Sequence, residues 1–212
     1  MIQVRDVFQL KFGRIDQAVD LFRRLPEVAG TGQASAGPSA IRQQGLTDIS
    51  GPMYSFVTEM AVPSMAQWEM IRSSVFDRPG YGDWFKQFQL IVDHGRLEMY
   101  TVEGEHAGWS RPGVVIVREV YRALKWQIRP TVALLQRYGA LLADSQVGRN
   151  PRVLTDLSGE MFTCVIEIET DELSDWEKHR REMYKRAEFQ AWFAQLGSSV
   201  EKGWHEFYRL EF

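Results

Sequence analysis

The segment Leu46-Thr47-Asp48-Ile49-Ser50-Gly51 returns 108 positions later as Leu154-Thr155-Asp156-Leu157-Ser158-Gly159. The same shift lays Trp68-Glu69 over Trp176-Glu177, Arg72 over Arg180, and Trp84-Phe85-Lys86-Gln87 over Trp192-Phe193-Ala194-Gln195. It also lays Gly95, Glu98, Tyr100 and Glu103 over Gly203, Glu206, Tyr208 and Glu211. No gap is needed from Leu46 to Glu103, and roughly a third of the positions are identical, against about one in fifteen by chance. Upstream the shift is 113, with Val4-Arg5-Asp6-Val7-Phe8 over Val117-Arg118-Glu119-Val120-Tyr121. Such a chain folds as two copies of one unit, and every element read in one copy is tested by the other.

Each copy has one order of elements. Ile2, Val4, Phe8 and Leu10 alternate with Gln3, Arg5, Gln9 and Lys11, which predicts a strand over 2–11 with one apolar face. Ile15, Ala18, Val19, Phe22 and Leu25 follow at helical spacing. Strands are expected over 41–48 and 53–62 around the Ser50-Gly51 turn. Met65, Trp68, Arg72, Val75 and Phe76 mark a second helix, and a short helix over 82–93 is expected to end on Gly95 as its cap, before a last strand over 96–103. The change of shift places a length difference where the Gly-rich segment 30–39 reads as a mobile loop and a candidate lid. The expected organisation is a first repeat over 1–104, a linker over 105–113 around Pro112, and a second repeat over 114–212.

The order βαββαβ with an extra helical segment is the ferredoxin-like split βαβ pattern. A sheet with helices on one face leaves its other face to cover, and a second copy can cover it. The fold class expected is therefore α+β, two ferredoxin-like repeats forming an intrachain pseudo-dimeric α+β barrel. The Glu59/Glu167 and Glu98/Glu206 pairs recur on the less apolar strand faces, which should meet between the sheets. Acids without partners there would be costly, so arginines or tyrosines are expected beside them. Trp84-Phe85 and Trp192-Phe193 are read as core anchors.

In this arrangement the chain resembles the dimeric α+β barrel superfamily in fused, tandem form. Phe8-Gln9-Leu10-Lys11-Phe12-Gly13-Arg14 resembles the strand-to-helix junction of NIPSNAP-like members, an aromatic-x-Leu-Lys-Pro-Gly pattern in which Phe12 here replaces the proline. The second copy reads Tyr121-Arg122-Ala123-Leu124-Lys125-Trp126-Gln127 and lacks the glycine. The resemblance implies a range of roles: cofactor-free oxygenases, isomerases, haem-handling proteins and stress proteins. Fold alone does not choose among them.

Composition narrows the field. A net charge of −3 without a long run of either sign argues against a nucleic-acid partner. The stretch His179-Arg180-Arg181 and Lys185-Arg186, interleaved with Glu182 and Glu188, reads as a solvated helix face. Cys164 is the only cysteine, so an intrachain disulfide is ruled out and a cytoplasmic location is expected. The first residues read as a strand rather than a signal peptide, and no apolar run reaches membrane-spanning length. Phosphate-binding loops, zinc spacings and a Gly-x-Ser-x-Gly elbow are all missing. No metal is expected.

The copies also point to a site where they differ. Phe56 becomes Cys164, Ile71 becomes His179, and Leu97 becomes His205. Alternation and helical spacing place all three toward the layer between sheet and helices, with Glu119 and Tyr121 from the first strand and Arg180 from the helix. The expected site is a polar pocket in the second repeat lined by Glu119, Tyr121, Cys164, His179, Arg180 and His205. His179 or His205 would transfer a proton, while Tyr121 and Arg180 orient a small, partly aromatic ligand. No cofactor is expected, with haem on His179 or His205 as the alternative. A second alternative is a non-catalytic assembly protein, a homo-oligomer with a filled cleft. The competing reading makes Cys164 a small core residue, the histidines solvated or bonded for the fold, and Asp6 and Glu119, acids present in both copies, structural.

Overall fold

A computed structural model of the chain describes residues 1–28, 43–105, 108–144 and 148–212. The Gly-rich segment 30–39 lies outside the described residues. The chain packs as two compact units, one of 1–48, 52–99 and 211–212, the other of 49–51 and 100–210. These units are not the chain's halves. The last residues, Glu211 and Phe212, belong with the first unit, where the Phe212 ring lies over Gly45 and the Gly45 N–H donates to the Phe212 carbonyl at 3.2 Å.

In chain order the first copy has β1 (Ile2–Leu10), α1 (Ile15–Val28), β2 (Gln43–Ser50), β3 (Ser55–Val62), α2 (Met65–Phe76), α3 (Tyr81–Ile91) and β4 (Val92–Val102). The second repeats it as β5 (Val115–Ala123), α4 (Ile128–Asp144), β6 (Arg149–Ser158), β7 (Thr163–Thr170), α5 (Leu173–Met183), α6 (Ala187–Ser199) and β8 (Val200–Leu210). The strand orders are β4-β1-β3-β2 and β8-β5-β7-β6, the ferredoxin-like order twice. β1 pairs antiparallel with β3, and β5 with both β7 and β8.

The copies agree down to their backbone turns. Gly51 and Gly159 take φ of 108° and 105°, and Tyr54 and Phe162 take 64° and 67°, so both hairpins use one turn geometry. Gly13 and Trp126 both take φ of 71°. The second copy thus keeps the left-handed step of the β1–α1 junction although a tryptophan stands where the glycine was. One expectation is corrected. Gly95 does not cap a helix, because α3 ends at Ile91 and β4 has already begun. Its small size serves a close approach instead: a methyl group there would lie 2.8 Å from the Phe8 ring. At the matching Gly203 it would lie 2.6 Å from the Tyr121 ring.

Aromatic packing fills the layer between sheet and helices in each unit. Phe22 meets Phe56, Trp84 and Phe88 with ring centroids 5.0–5.1 Å apart. In the second unit Tyr138 stacks on Trp192 at 4.3 Å. The Trp84 indole N–H donates to the Leu21 carbonyl at 2.8 Å, and that of Trp192 to the Leu134 carbonyl at 2.8 Å, one bond written twice. Both tryptophans are the expected core anchors. Phe85 and Phe193 are not: each is exposed, because it lies about 100° round the helix from its tryptophan, which in α3 and α6 turns it away from the sheet.

The opposite strand faces are buried as well, and they are ionic. Arg5 is 1% exposed and Arg118 2%. The Arg5 guanidinium donates to Glu59 at 3.2 Å and to Glu98 at 2.9 Å. Its repeat mate Arg118 pairs with Glu167 and, at 3.2 Å, with Glu206, and it donates to the Tyr100 hydroxyl at 2.9 Å. Arg152 adds a second guanidinium to Glu167, with Nε at 2.7 Å. The acids have the arginine and tyrosine partners expected of them.

Two stability predictions follow from this packing. Gly203→Ala should cost about 1–3 kcal/mol by overpacking against Tyr121, while Gly197→Ala, whose methyl meets nothing within 4 Å on α6, should be neutral or stabilising by up to about 1 kcal/mol. Glu167→Leu should cost about 3–5 kcal/mol, because it removes the carboxylate that two buried guanidinium groups share. Urea denaturation of the three variants checks both.

Candidate functional site

β5 carries a carboxylate into an apolar layer. Alternation sends Glu119 and Tyr121 to the sheet face that packs under α4, α5 and α6, among Leu135, Ile166, Trp176 and Trp192. The register of β5 with β8 sets Glu119 opposite His205 and Tyr121 opposite Gly203, and its register with β7 sets Tyr121 opposite Cys164. Opposed residues share a face, so strand pairing alone brings these side chains together.

Glu119 is the hub. It is 4% exposed, and an ionised carboxylate in such surroundings needs partners. Tyr121 donates its hydroxyl to Oε2 at 2.5 Å, and Tyr138 from α4 donates to Oε1 at 3.2 Å. His205 Nε2 stands 3.5 Å from the same Oε1. Burial, followed by the charge of Glu119, pushes both phenols far above the ordinary tyrosine range, so they stay protonated and act only as donors here.

Arg180 closes one side of the cluster. Its guanidinium lies 5.4 Å over the Tyr184 ring and donates to the Tyr184 hydroxyl at 3.3 Å. Burial disfavours its charge, but Tyr184, Glu119 and Tyr138 outweigh that and raise its pKa. Arg180, Tyr184 and His205 are each partly exposed, with the His205 side chain 32% accessible, so the cluster meets water at these three. His205 stacks on Phe207 at 6.4 Å. The arrangement can accept a proton at the histidine, hold the resulting imidazolium against a buried carboxylate, and hold an anion at the arginine.

Four of the six residues singled out in the sequence are thus assembled: Glu119, Tyr121, Arg180 and His205. Cys164 borders them as core wall. It is fully buried, and burial, with Asp156 and Glu103 behind it, pushes its thiol up to about 12, which leaves no reactive thiolate. His179 goes elsewhere. It is buried beside a separate cleft of about 320 Å³, with Arg149, Asp171, Asp175, Lys178, Glu182 and Arg186 among its walls. Burial, followed by the charge of Arg186, lowers its pKa, so it is neutral at neutral pH. Arg149 is tied to Asp171 by two bonds of 2.8 Å. Walls this charged do not fit the apolar macrocycle of a haem, so His179 is not placed as its ligand.

Two members of the cluster escaped the sequence reading. Tyr138 stands where the first copy has Leu25, and Tyr184 where it has Phe76. The apolar-to-polar exchange that marked His205 applies equally to both. Among the described residues no group of three His, Cys, Asp or Glu side chains is placed to hold a metal ion. No helix among them is long and apolar enough to cross a membrane.

No protein-family model and no curated protein matches the chain in sequence. Solved structures do match it in fold along its whole length. A candidate monooxygenase from Fusobacterium nucleatum superposes with a TM-score of 0.72 at 10% identity, covering 100% of this chain and 92% of that one. A candidate monooxygenase from Lactobacillus acidophilus gives 0.70 at 6% identity, covering 100% and 94%. An anthrone oxidase-like protein gives 0.68 at 14% identity, covering 100% and 91%. At these identities the likeness speaks for architecture: the chain has the α+β fold of the dimeric α+β barrel proteins, in tandem ferredoxin-like form.

Proposed function

We propose that the second unit binds a small, partly aromatic molecule at the mouth of the Glu119 cluster and moves a proton on it without a bound cofactor, as an isomerase or a cofactor-free oxygenase does. The observation that carries this reading is the pairing of a buried, tyrosine-held carboxylate with a histidine that reaches water. His205 removes a proton from the carbon beside a ligand carbonyl. The C–H electron pair moves onto the carbonyl oxygen as an enolate, and Arg180 holds that oxyanion. Glu119 stabilises the imidazolium until, in a ligand whose enolate is conjugated to a further C=C bond, the proton is delivered to the γ-carbon and the double bond shifts into conjugation with the re-formed carbonyl, which completes an isomerisation. Where dioxygen is the second substrate, the enolate carbon bonds to it instead: the carbon is oxidised by two electrons, dioxygen is reduced to a carbon-bound peroxide, and the imidazolium proton passes to the outer oxygen. The names of the similar structures agree with this chemistry at the level of fold only.

The test is deuterium wash-in from heavy water into a panel of hydroxyaryl ketones and 1,3-dicarbonyl compounds, followed by NMR. Loss of the imidazole in His205→Ala should slow exchange by about 10²–10⁴-fold. Being partly exposed, the residue should cost little stability. His179→Ala should leave exchange unchanged. Equal exchange by wild type and His205→Ala would sink the proposal.

The same pair favours a second reading. A histidine that offers one ring nitrogen to a carboxylate is oriented as metal-bound histidines are, and His205 would hold a haem through its other ring nitrogen. Haem held there would supply redox chemistry, with Glu119 setting the tautomer of His205. Added haem should then give a Soret shift that disappears in His205→Ala and persists in His179→Ala. A Soret band identical in all three proteins would reject it.

A further inference from the structure

Each copy holds an acid and an arginine at matching positions, but the two surround them differently. Asp6 stands where the second unit has Glu119, and Arg72 where it has Arg180. In the second unit the acid accepts two phenol hydroxyls, from Tyr121 and Tyr138. The first unit has Phe8 and Leu25 at those positions, and Leu97 in place of His205. Its acid is also one methylene shorter, and among the described residues no phenol donates to it, although the Tyr81 hydroxyl lies near enough to feel its charge. Among the described residues Asp6 has one side-chain hydrogen bond, from the Thr58 hydroxyl at 3.3 Å. Burial raises its carboxyl above the ordinary range, with Thr58 and the Arg72 charge opposing.

The helix above it is open. α2 buries none of its residues, whereas α5 buries Trp176, His179 and Met183 at the positions where α2 has Trp68, Ile71 and Val75. Among the described residues Arg72 forms no salt bridge. Its guanidinium lies 5.4 Å over the Trp68 ring and 5.6 Å over the Phe76 ring, and its charge reaches Asp6 and Tyr81. The first unit thus offers an under-bonded acid, an unpaired arginine, and aromatic rings that remain partly accessible.

We infer that the first unit carries a second binding site, for a small hydroxyaromatic molecule whose phenol donates to Asp6 as Tyr121 and Tyr138 donate to Glu119. The ring lies beside Phe8 and under the apolar face of α2, and Arg72 attracts whatever negative charge the ligand bears. The second unit supplies the template for the hydrogen bond: there the protein's own phenols donate to the acid, whereas in the first unit the Phe8 ring has no hydroxyl and Leu25 stands in place of the Tyr138 ring.

The probe is p-cresol, which has the atoms of a tyrosine side chain, with toluene as its partner lacking the hydroxyl. Calorimetric titration should find one p-cresol per chain, bound at least tenfold tighter than toluene. Asp6→Leu should abolish that preference, and Phe8→Tyr, which sets a hydroxyl beside Asp6, should weaken p-cresol at least tenfold while raising the melting temperature. Tyr121→Phe and His205→Ala, changes confined to the second unit, should leave p-cresol binding as it was, so this site stands or falls apart from the one proposed there. Equal binding of p-cresol and toluene would overturn the inference. So would p-cresol binding that survives both Asp6→Leu and Phe8→Tyr, or that is lost in Tyr121→Phe.

Discussion

In each unit a guanidinium that water barely reaches is held by two glutamates, and much of the rest of the structure is arranged around that demand. Removing an arginine from water is expensive unless its donors are met, and the carboxylates that meet them need their own partners. Arg5 with Glu59 and Glu98, and Arg118 with Glu167 and Glu206, bring charged partners together on three adjacent strands. The pairs therefore also select strand register. A one-residue slip would turn each arginine to the opposite face and leave its glutamates stranded. Ion pairs of this kind add little net stability beyond what an apolar substitute would give. They make the wrong arrangements costly.

The other sheet face shows how one close approach positions chemistry. Gly203 has no side chain, and the Tyr121 ring lies across the strand in the vacated space. From there its hydroxyl reaches Glu119, two residues back on the same face. The same glycine–aromatic contact occurs at Gly95 and Phe8, where the ring has no hydroxyl to donate. One backbone device thus yields a satisfied acid in one unit and an under-bonded acid in the other. The difference is a single oxygen atom at that position, seconded by Leu25 in place of Tyr138. Both copies pack a ring at this position, and only in the second does a hydroxyl on it hold the acid.

Much of the fold was legible because alternation, helical spacing and the internal repeat are local signals that reinforce one another. The strand 2–11 emerged as Ile2–Leu10 and the helix 82–93 as Tyr81–Ile91. Misreadings fell where a residue type has two uses. Gly95 was read as a cap and is a packing gap. Phe85 was read as core beside Trp84, although consecutive helix positions face different ways. The site was legible in part. Glu119, Tyr121, Arg180 and His205 could be grouped from strand faces and helix register. His179 could not be separated from Arg180, its neighbour, because the direction of a residue at the edge of a buried stripe depends on how the helix is rotated against the sheet. Tyr138 lay on a helix whose approach to Glu119 no sequence period encodes.

The sequence by itself determined the duplicated βαββαβ order, the presence of an acid on the first strand and an arginine on the second helix in each copy, and the positions where the copies differ in polarity. These are properties of periodicity and of one copy laid over the other, and both can be read along the chain. The tertiary structure alone decided which acid is satisfied and which is under-bonded, that Cys164 is inert, that His179 faces a charged cleft, and that α2 stays open where α5 is closed. Each of these depends on distances between atoms remote in the chain, over which a shift of about an ångström separates a hydrogen bond from an empty space.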